Sequence, residues 1–363
     1  MEKDNMSTVV FAGGKTGGHL FPGLAVAHEM RNRGHEVGFI GSAGGLEEKL
    51  LPKTPFFLEL IKVGGLKGKN FLETVKNIMI LPVSLLQAML VIKKYKVDVL
   101  VSLGGYAAGP AALAAKICGC RVVVMEQNAI PGITNRIIGR FSHKNCLSFP
   151  DEKAFFNSEK SVVTGNPVRK EIYNASPAEI DTDKPVCAVF GGSQGAVSMN
   201  SVILKMFEEN KNLVSSVFML HQAGSLDRER VENFYIDKGI ENITSDFFDN
   251  IGSFYKRADL VVCRAGATTI AELVSLGKYA VYIPLPHAAD NHQYHNARAV
   301  EKISMGEIVD QTHEKASEKL ADIVFSLLED RDVFLKHEKT EVSAATGCVA
   351  DEIENIMCKE GAL

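Results

Sequence analysis

Several signatures of common function classes are missing from the 363-residue sequence, and each gap narrows the field. Neither of its two glycine-rich loops, GGKTGGH at Gly13–His19 and GGSQGA at Gly191–Ala196, reads GxGxxG, which counts against a nicotinamide-dependent oxidoreductase. There is no HExxH and no CxxC, so His287, His292 and His295 lack a zinc-site pattern. The seven scattered cysteines (Cys118, Cys120, Cys146, Cys187, Cys263, Cys348, Cys358) read as reduced thiols used as small hydrophobes in a cytosolic protein. A formal charge of −4 lacks the basic surplus of a general nucleic-acid binder. The longest apolar stretch, Ile78–Ile92, carries Pro82, Ser84 and Gln87 and falls short of the roughly 20 residues that span a bilayer. The start, MEKDNMSTVVF, is too acidic and polar for a secretory signal.

What is present is a regular alternation. The length suits two domains, and 46% hydrophobic against 23% charged residues is the balance of a folded protein with a substantial interior. Apolar strands predicted at Thr8–Ala12, Glu36–Gly41, Phe56–Ile61, Val97–Leu103, Arg121–Glu126 and Lys144–Ser148 are separated by helical patterns. Among these are Gly23–Arg33 and Phe71–Tyr95, the second expected to break at Pro82. A polar break over Pro150–Pro185 precedes a second series that begins at Val186–Phe190 and its glycine loop. The expected α/β architecture is therefore two Rossmann-like domains of parallel sheet, residues 1–165 and 166–343, with a final helix in 344–363 returning to the first. If the halves face each other, the ligand site lies beyond the carboxyl ends of their strands.

The stretch from Val261 to Asn296 is the most informative. An apolar strand ends in a turn at Gly266–Thr269 that opens a helix, and the unpaired N–H groups and positive dipole end of such a helix favour an anion. Glu272 lies one turn in, placed either to accept from the hydroxyls of a nucleotide sugar or only to complement the dipole. GGSQGA follows a buried strand, so its backbone can approach a phosphate and Ser193 can add a donor. His19, closing the first glycine loop, is the candidate general base, with Glu126 second, since imidazole titrates near neutral pH. Asn128 follows a strand end, and Gln293 and Asn296 lie three apart near a helix start, where they can pair on sugar hydroxyls or simply cap. Neither Asp181-Thr182-Asp183 nor Asp330-Arg331-Asp332 sits at a strand terminus, so no metal and no cofactor is expected, with helix N-termini stabilising a leaving nucleotide instead.

The ordered motifs AGGKTGGHLFPGLAVAHEM, GGLKGK, SLGGYAAGP, MEQN, TGNPVR, VFGGSQGA, VCRAGATTIAEL and DNHQYHNA, running from Ala12 to Ala297, resemble the MurG family of peptidoglycan glycosyltransferases. The resemblance implies a GT-B fold. It also implies inverting transfer of N-acetylglucosamine from UDP-GlcNAc to an undecaprenyl-diphosphate-linked muramyl pentapeptide, by an enzyme peripheral to the cytoplasmic face of the inner membrane. On that footing Ser193 and Ala267, Thr268, Thr269, Ile270, Ala271 and Glu272 hold the UDP-GlcNAc, and the backbone of Phe248 reads the uracil edge. Arg169 reaches the nucleotide, and Asn128, Gln293 and Asn296 meet the donor sugar. Thr16, Gly17 and Gly18 line the first loop beside His19. The N-terminal domain would take the acceptor and the membrane, the C-terminal domain the donor. Lys15 makes the first loop one residue longer than the family's usual GGTGGH, and Ala108 stands where the family carries a hydroxyl. Ile78–Leu86, flanked by Lys67, Lys69, Lys93, Lys94 and Lys96, reads either as a buried helix or, given a lipid acceptor, as a patch meeting anionic membrane. Two rivals are another UDP-GlcNAc enzyme of the same fold, such as a 2-epimerase or a lipid glycosyltransferase, and a nucleotide-sugar sensor without turnover.

Overall fold

The structure, a computed structural model, describes residues 6–14, 16–64, 71–192, 195–286, 288–330 and 344–358, with side chains for all of these but 71–79. It divides into two compact units, Met1–Arg169 with Ser343–Leu363, and Lys170–Val342.

The first unit alternates β1 (Thr8–Gly13), α1 (Gly17–Asn32), β2 (Glu36–Ser42), α2 (Leu46–Leu50), β3 (Phe57–Ile61), α3 (Phe71–Tyr95), β4 (Val99–Gly104), α4 (Ala108–Ile117), β5 (Arg121–Glu126), α5 (Ile133–Gly139), β6 (Lys144–Leu147) and β7 (Ser161–Val163). All described strand pairs are parallel, in the order β3-β2-β1-β4-β5-β6-β7. β1 and β4 are buried at every position, because a strand covered by helices on both faces needs a continuous apolar run rather than an alternating one.

The second unit continues with α6 (Lys170–Asn174), β8 (Val186–Phe190), α7 (Val197–Glu209), β9 (Phe218–Gln222), α8 (Arg228–Lys238), β10 (Asn242–Ser245), α9 (Ile251–Arg257), β11 (Leu260–Cys263), α10 (Ala267–Ser275), β12 (Ala280–Tyr282), α11 (His292–Glu301), β13 (Gly306–Ile308) and α12 (Ala316–Glu329). Its parallel sheet has the order β10-β9-β8-β11-β12-β13. Each unit thus has a switch point, between β1 and β4 and between β8 and β11, where the strand order reverses and loops diverge to leave a crevice.

One clasp recurs in both sheets. Asp98, just before β4, accepts from the Thr8 backbone N–H at 2.8 Å, and Asp259, just before β11, accepts from the Val186 N–H at the same distance. Each carboxylate joins the first strand of its unit to the fourth.

The last helix, α13 (Ala344–Cys358), belongs to the first unit. Val349, Ile353 and Ile356 bury themselves in the core cluster that holds Phe11, Phe39 and Met125, each contributing roughly 1.5–3 kcal/mol. Arg33 at the end of α1 bridges to Asp351 at 2.7 Å and Glu354 at 2.6 Å, and Lys144 to Glu352 at 3.0 Å. Burial alone would raise the Glu354 carboxyl, but hydrogen bonds from His35 and Arg33 outweigh it and hold the group below its usual range.

Three sequence expectations change. α3 runs unbroken through Pro82, because its buried face (Ala88, Val91, Ile92) outweighs the roughly 3 kcal/mol cost of an internal proline. α1 starts at Gly17, six residues before the expected start at Gly23. The polar break and the segment after α8 contain two short edge strands, β7 and β10, which carry little hydrophobic signal.

Candidate active site

In the first unit, chemistry-bearing residues gather at the carboxyl ends of β1, β4 and β5. β1 ends at Gly13 with φ +108°, where a Cβ would lie 2.0 Å from the Gly104 carbonyl oxygen, so glycine alone allows the ends of β1 and β4 to approach this closely. Thr16 occupies the position before α1, and its hydroxyl lies 3.1 Å from His19 Nδ1. His19, in the first turn with Gly17 and Gly18, is half-buried. Lys15 and the question of the longer loop lie outside the described residues.

Glu126 is a different kind of group from the base it was expected to rival. It is 3% exposed, and its two oxygens accept from the Asn128 N–H (3.0 Å) and amide (3.3 Å), the Gly132 N–H (3.3 Å) and Asn135 Nδ2 (2.9 Å). Burial raises its pKa, and those hydrogen bonds pull in the opposite direction. A carboxyl group so enclosed pins the Asn128–Gly132 loop instead of meeting a substrate proton. Asn135, which sequence reasoning passed over, extends the network: its Oδ1 accepts from Ser102 Oγ at 2.8 Å, and Ser102 in turn accepts from the Gly104 N–H. The available signal was one amide inside the apolar helix ITNRIIG.

Arg169, the last residue of the TGNPVR motif, stacks its guanidinium 4.3 Å over the Phe21 ring of α1. Its place on the first unit follows from that contact.

In the second unit, β11 delivers Arg264-Ala265-Gly266 into α10, with Gly266 as the capping residue. The first-turn N–H groups at Ala267, Thr268 and Thr269 point back along the axis toward the loop, while Ile270 and Ala271 are buried. Glu272 is 3% exposed and close enough to help burial push the Tyr173 phenol upward. Arg264, also missed from sequence, is a buried cation. It donates to the Ile283 and Pro284 carbonyls, to Gln311 Oε1 at 2.7 Å and to Ser198 Oγ at 3.1 Å, and all of these partners are neutral. Burial lowers its pKa.

Opposite, Gly195 (φ +75°) lets the loop before α7 pass the Ala223 carbonyl, where a Cβ would sit 2.4 Å away. Ser193 and its donor role lie outside the described residues, as does His287. Behind this loop a satisfied polar cluster ties α7, β9 and α8 together. His221 is fully buried, meets Tyr235 Oη at 2.8 Å and Asn200 Oδ1 at 3.1 Å, and burial brings its pKa down to about 3.

The expected pair on α11 separates. Gln293 is partly exposed and accepts from the Leu285 N–H, whereas Asn296 is 0% exposed and donates to the Ala265 carbonyl at 3.2 Å, supporting the turn before α10. Phe248 packs its ring on Phe254 and Phe190, and its N–H is engaged by Gln222. Among the described residues no cluster of three or more His, Cys, Asp or Glu is arranged to hold a metal ion.

Known proteins share this arrangement. The glycosyltransferase family 28 N-terminal domain matches residues 9–146, and the family 28 C-terminal domain matches 186–351. A Myxococcus xanthus protein named UDP-N-acetylglucosamine--N-acetylmuramyl-(pentapeptide) pyrophosphoryl-undecaprenol N-acetylglucosamine transferase is 41% identical over 89% of this chain and 85% of its own length. A Citrifermentans bemidjiense protein of the same name is 37% identical over 96% and 98%. The crystal structure of Acinetobacter baumannii MurG aligns with a TM-score of 0.77 at 28% identity, covering 96% of this chain and 99% of that one. A Neisseria meningitidis UDP-GlcNAc 2-epimerase aligns at 0.66 with 13% identity, which is a likeness of fold alone. With both halves matched and relatives followed along most of their length, the chain is a GT-B glycosyltransferase that belongs to the MurG group of family 28.

Proposed function

We propose that the chain moves N-acetylglucosamine from UDP-GlcNAc to a sugar hydroxyl of an undecaprenyl-diphosphate-linked muramyl pentapeptide, inverting the anomeric centre. The observation that carries this reading is the 37–41% identity, along most of both chains, to relatives named for that transfer. The local geometry supports it. The start of α10, next to buried Arg264, suits the diphosphate of the donor, and Glu272 one turn in suits ribose hydroxyls. Gln293 on α11 takes the donor sugar.

His19 is the base. His19 Nδ1 lies 3.1 Å from Thr16 Oγ1, and in the tautomer whose Nδ1–H donates to that hydroxyl, Nε2 is the nitrogen that takes the acceptor hydroxyl proton as that oxygen attacks opposite the departing UDP. The positive end of α10 stabilises the charge that develops on the leaving diphosphate.

The lipid end of the acceptor is met at α3. Leu86 and Leu90 are 59% and 60% exposed one turn apart, with Leu81 and Val83 also exposed and Lys93, Lys94 and Lys96 at the helix end. Such a face suits shallow insertion beside anionic headgroups at the cytoplasmic surface of the inner membrane. Lys67, Lys69 and the side chains of Ile78 and Met79 lie outside the described residues. Among those described, no helix is long and apolar enough to cross a membrane.

A transfer assay with UDP-GlcNAc and a soluble lipid-linked muramyl-peptide analogue, with and without chelator, tests the proposal. Folded protein is expected to form the β-linked product in both arms. No product from folded protein would remove the assignment, and loss with chelator would remove the metal-free mechanism.

A further inference from the structure

Two amides in the quoted motifs have no part in the transfer chemistry described so far, and the first unit brings them together. Gln127 of MEQN follows β5, and Asn166 of TGNPVR lies just past β7. They are 2% and 4% exposed, and with Ser148 and Thr164 they line one narrow cleft beyond the carboxyl ends of β5, β6 and β7. Gln127 Nε2 donates to the Met125 carbonyl at 3.2 Å, and because only the NH2 end can serve a carbonyl, that contact fixes the orientation of the amide. Among the described residues, Gln127 Oε1, Asn166 Oδ1 and Asn166 Nδ2 have no hydrogen-bond partner. The contrast is with Glu126 next in the chain, equally buried, whose two oxygens are served by Asn128, Gly132 and Asn135. A buried amide end with no partner gives up a hydrogen bond that water would supply, so three such atoms in one cleft point to a group that completes them.

We propose that Gln127 and Asn166 form a subsite for one secondary amide of the acceptor. This rests on the reading of the first unit as the half that takes a muramyl-peptide acceptor. A trans secondary amide points its N–H and its C=O in opposite directions, so it needs an acceptor on one side and a donor on the other. Gln127 Oε1 only accepts and Asn166 Nδ2 only donates, and together they supply that pair. A narrow cleft takes such a planar group and not a sugar ring. An ester of the same shape lacks the N–H and leaves Gln127 Oε1 unserved, and a carboxylate sets its lone pairs against that oxygen, so the subsite selects an amide over both. The acceptor carries secondary amides of two kinds, the acetamido group of its sugar and the peptide bonds of its stem, and one chemistry covers both.

Transfer assays on the full chain with three soluble lipid-linked acceptors separate the two sources. One is the full muramyl peptide, one has the sugar acetamido group replaced by an acetate ester, and one has the first peptide bond replaced by an ester. Wild-type protein should show a KM about tenfold higher for one ester and unchanged for the other, which identifies the amide that is read. With Gln127→Met the accepting oxygen is gone, so KM for that ester and for the full acceptor should agree within about threefold, while KM for UDP-GlcNAc stays within about threefold of wild type. Gln127→Ala carries the same expectation if the methionine variant fails to fold. Equal KM values for all three acceptors with wild-type protein, the result if an internal water alone serves these amides, overturn the inference, and so does a rise for both esters. A folded Gln127 variant that still separates amide from ester overturns it too. These results leave transfer itself standing, whereas wild-type protein that uses none of the three acceptors sinks the inference together with the reading it rests on.

Discussion

The two units use one scaffold to place opposite charges at their strand ends. In each, an aspartate ahead of the fourth strand ties it to the first, and a helix follows that strand across the switch point. Beyond this the designs part. The first unit sets a buried carboxyl, Glu126, among four donors at the end of β5, and a histidine that meets Thr16 at the start of α1. The second sets a buried guanidinium, Arg264, among neutral partners beside the start of α10. A common topology therefore says nothing about which unit takes an anion; the buried ionisable residue at the carboxyl end of a strand does. That division supports assigning the diphosphate to the second unit and proton transfer to the first.

The largest expected effect tests this division at His19. Replacing it with Ala should lower turnover by roughly 10²–10⁴, about 3–5 kcal/mol of barrier, while UDP affinity by calorimetry stays within about threefold. Retained turnover would remove His19 as the base. Glu126→Gln should destabilise the first unit by about 1–3 kcal/mol, since an amide cannot accept from donors on both sides. Its turnover should exceed that of His19→Ala, and the reverse order would restore Glu126 as the catalytic group.

The shared clasp gives a finer comparison. Asp259 is buried and Asp98 exposed, so Asp259→Ala should cost about 1–2 kcal/mol and Asp98→Ala under about 1, read by hydrogen exchange in each sheet. Equal costs would mean that burial does not decide the strength of the clasp.

The narrowest test is a pH slope confined to the second unit. His221 stays neutral in the folded chain down to about pH 3, whereas the unfolded chain takes up a proton below roughly 6.5. Between those values the unfolded state binds more protons, so stability falls on acidification by up to about 1.4 kcal/mol per pH unit. His221→Asn should flatten that part of the urea-unfolding pH profile. An unchanged slope would show that His221 is protonated in place.

Much of the scaffold is legible in sequence because fully buried parallel strands such as VCAVF and VVVME are unbroken apolar runs. β10, with the sequence NITS, is a polar edge strand defined only by its pairing with β9, which no local pattern encodes. Pro82 misled because local propensity was weighed without the tertiary face that overrides it. At the sites, motifs singled out His19, Thr269, Glu272 and Gln293 as candidates. They could not show which of the marked polar residues are buried and engaged within the protein, as Glu126, Glu272 and Asn296 are. Ser102, Asn135, Gln222 and Arg264 escaped notice because single polar residues beside apolar strands look like ordinary strand ends until their partners are known.

The docking of α13 on the first unit has a consequence for synthesis. The chain leaves that unit at Arg169 and returns at Ser343, so the second unit interrupts the first. As the polypeptide emerges from the ribosome, the groove that Val349, Ile353 and Ile356 will fill stays uncovered until the last helix arrives. The half that is translated first is the half that is finished last, and no single cut in the gene yields two pieces that each hold a complete core.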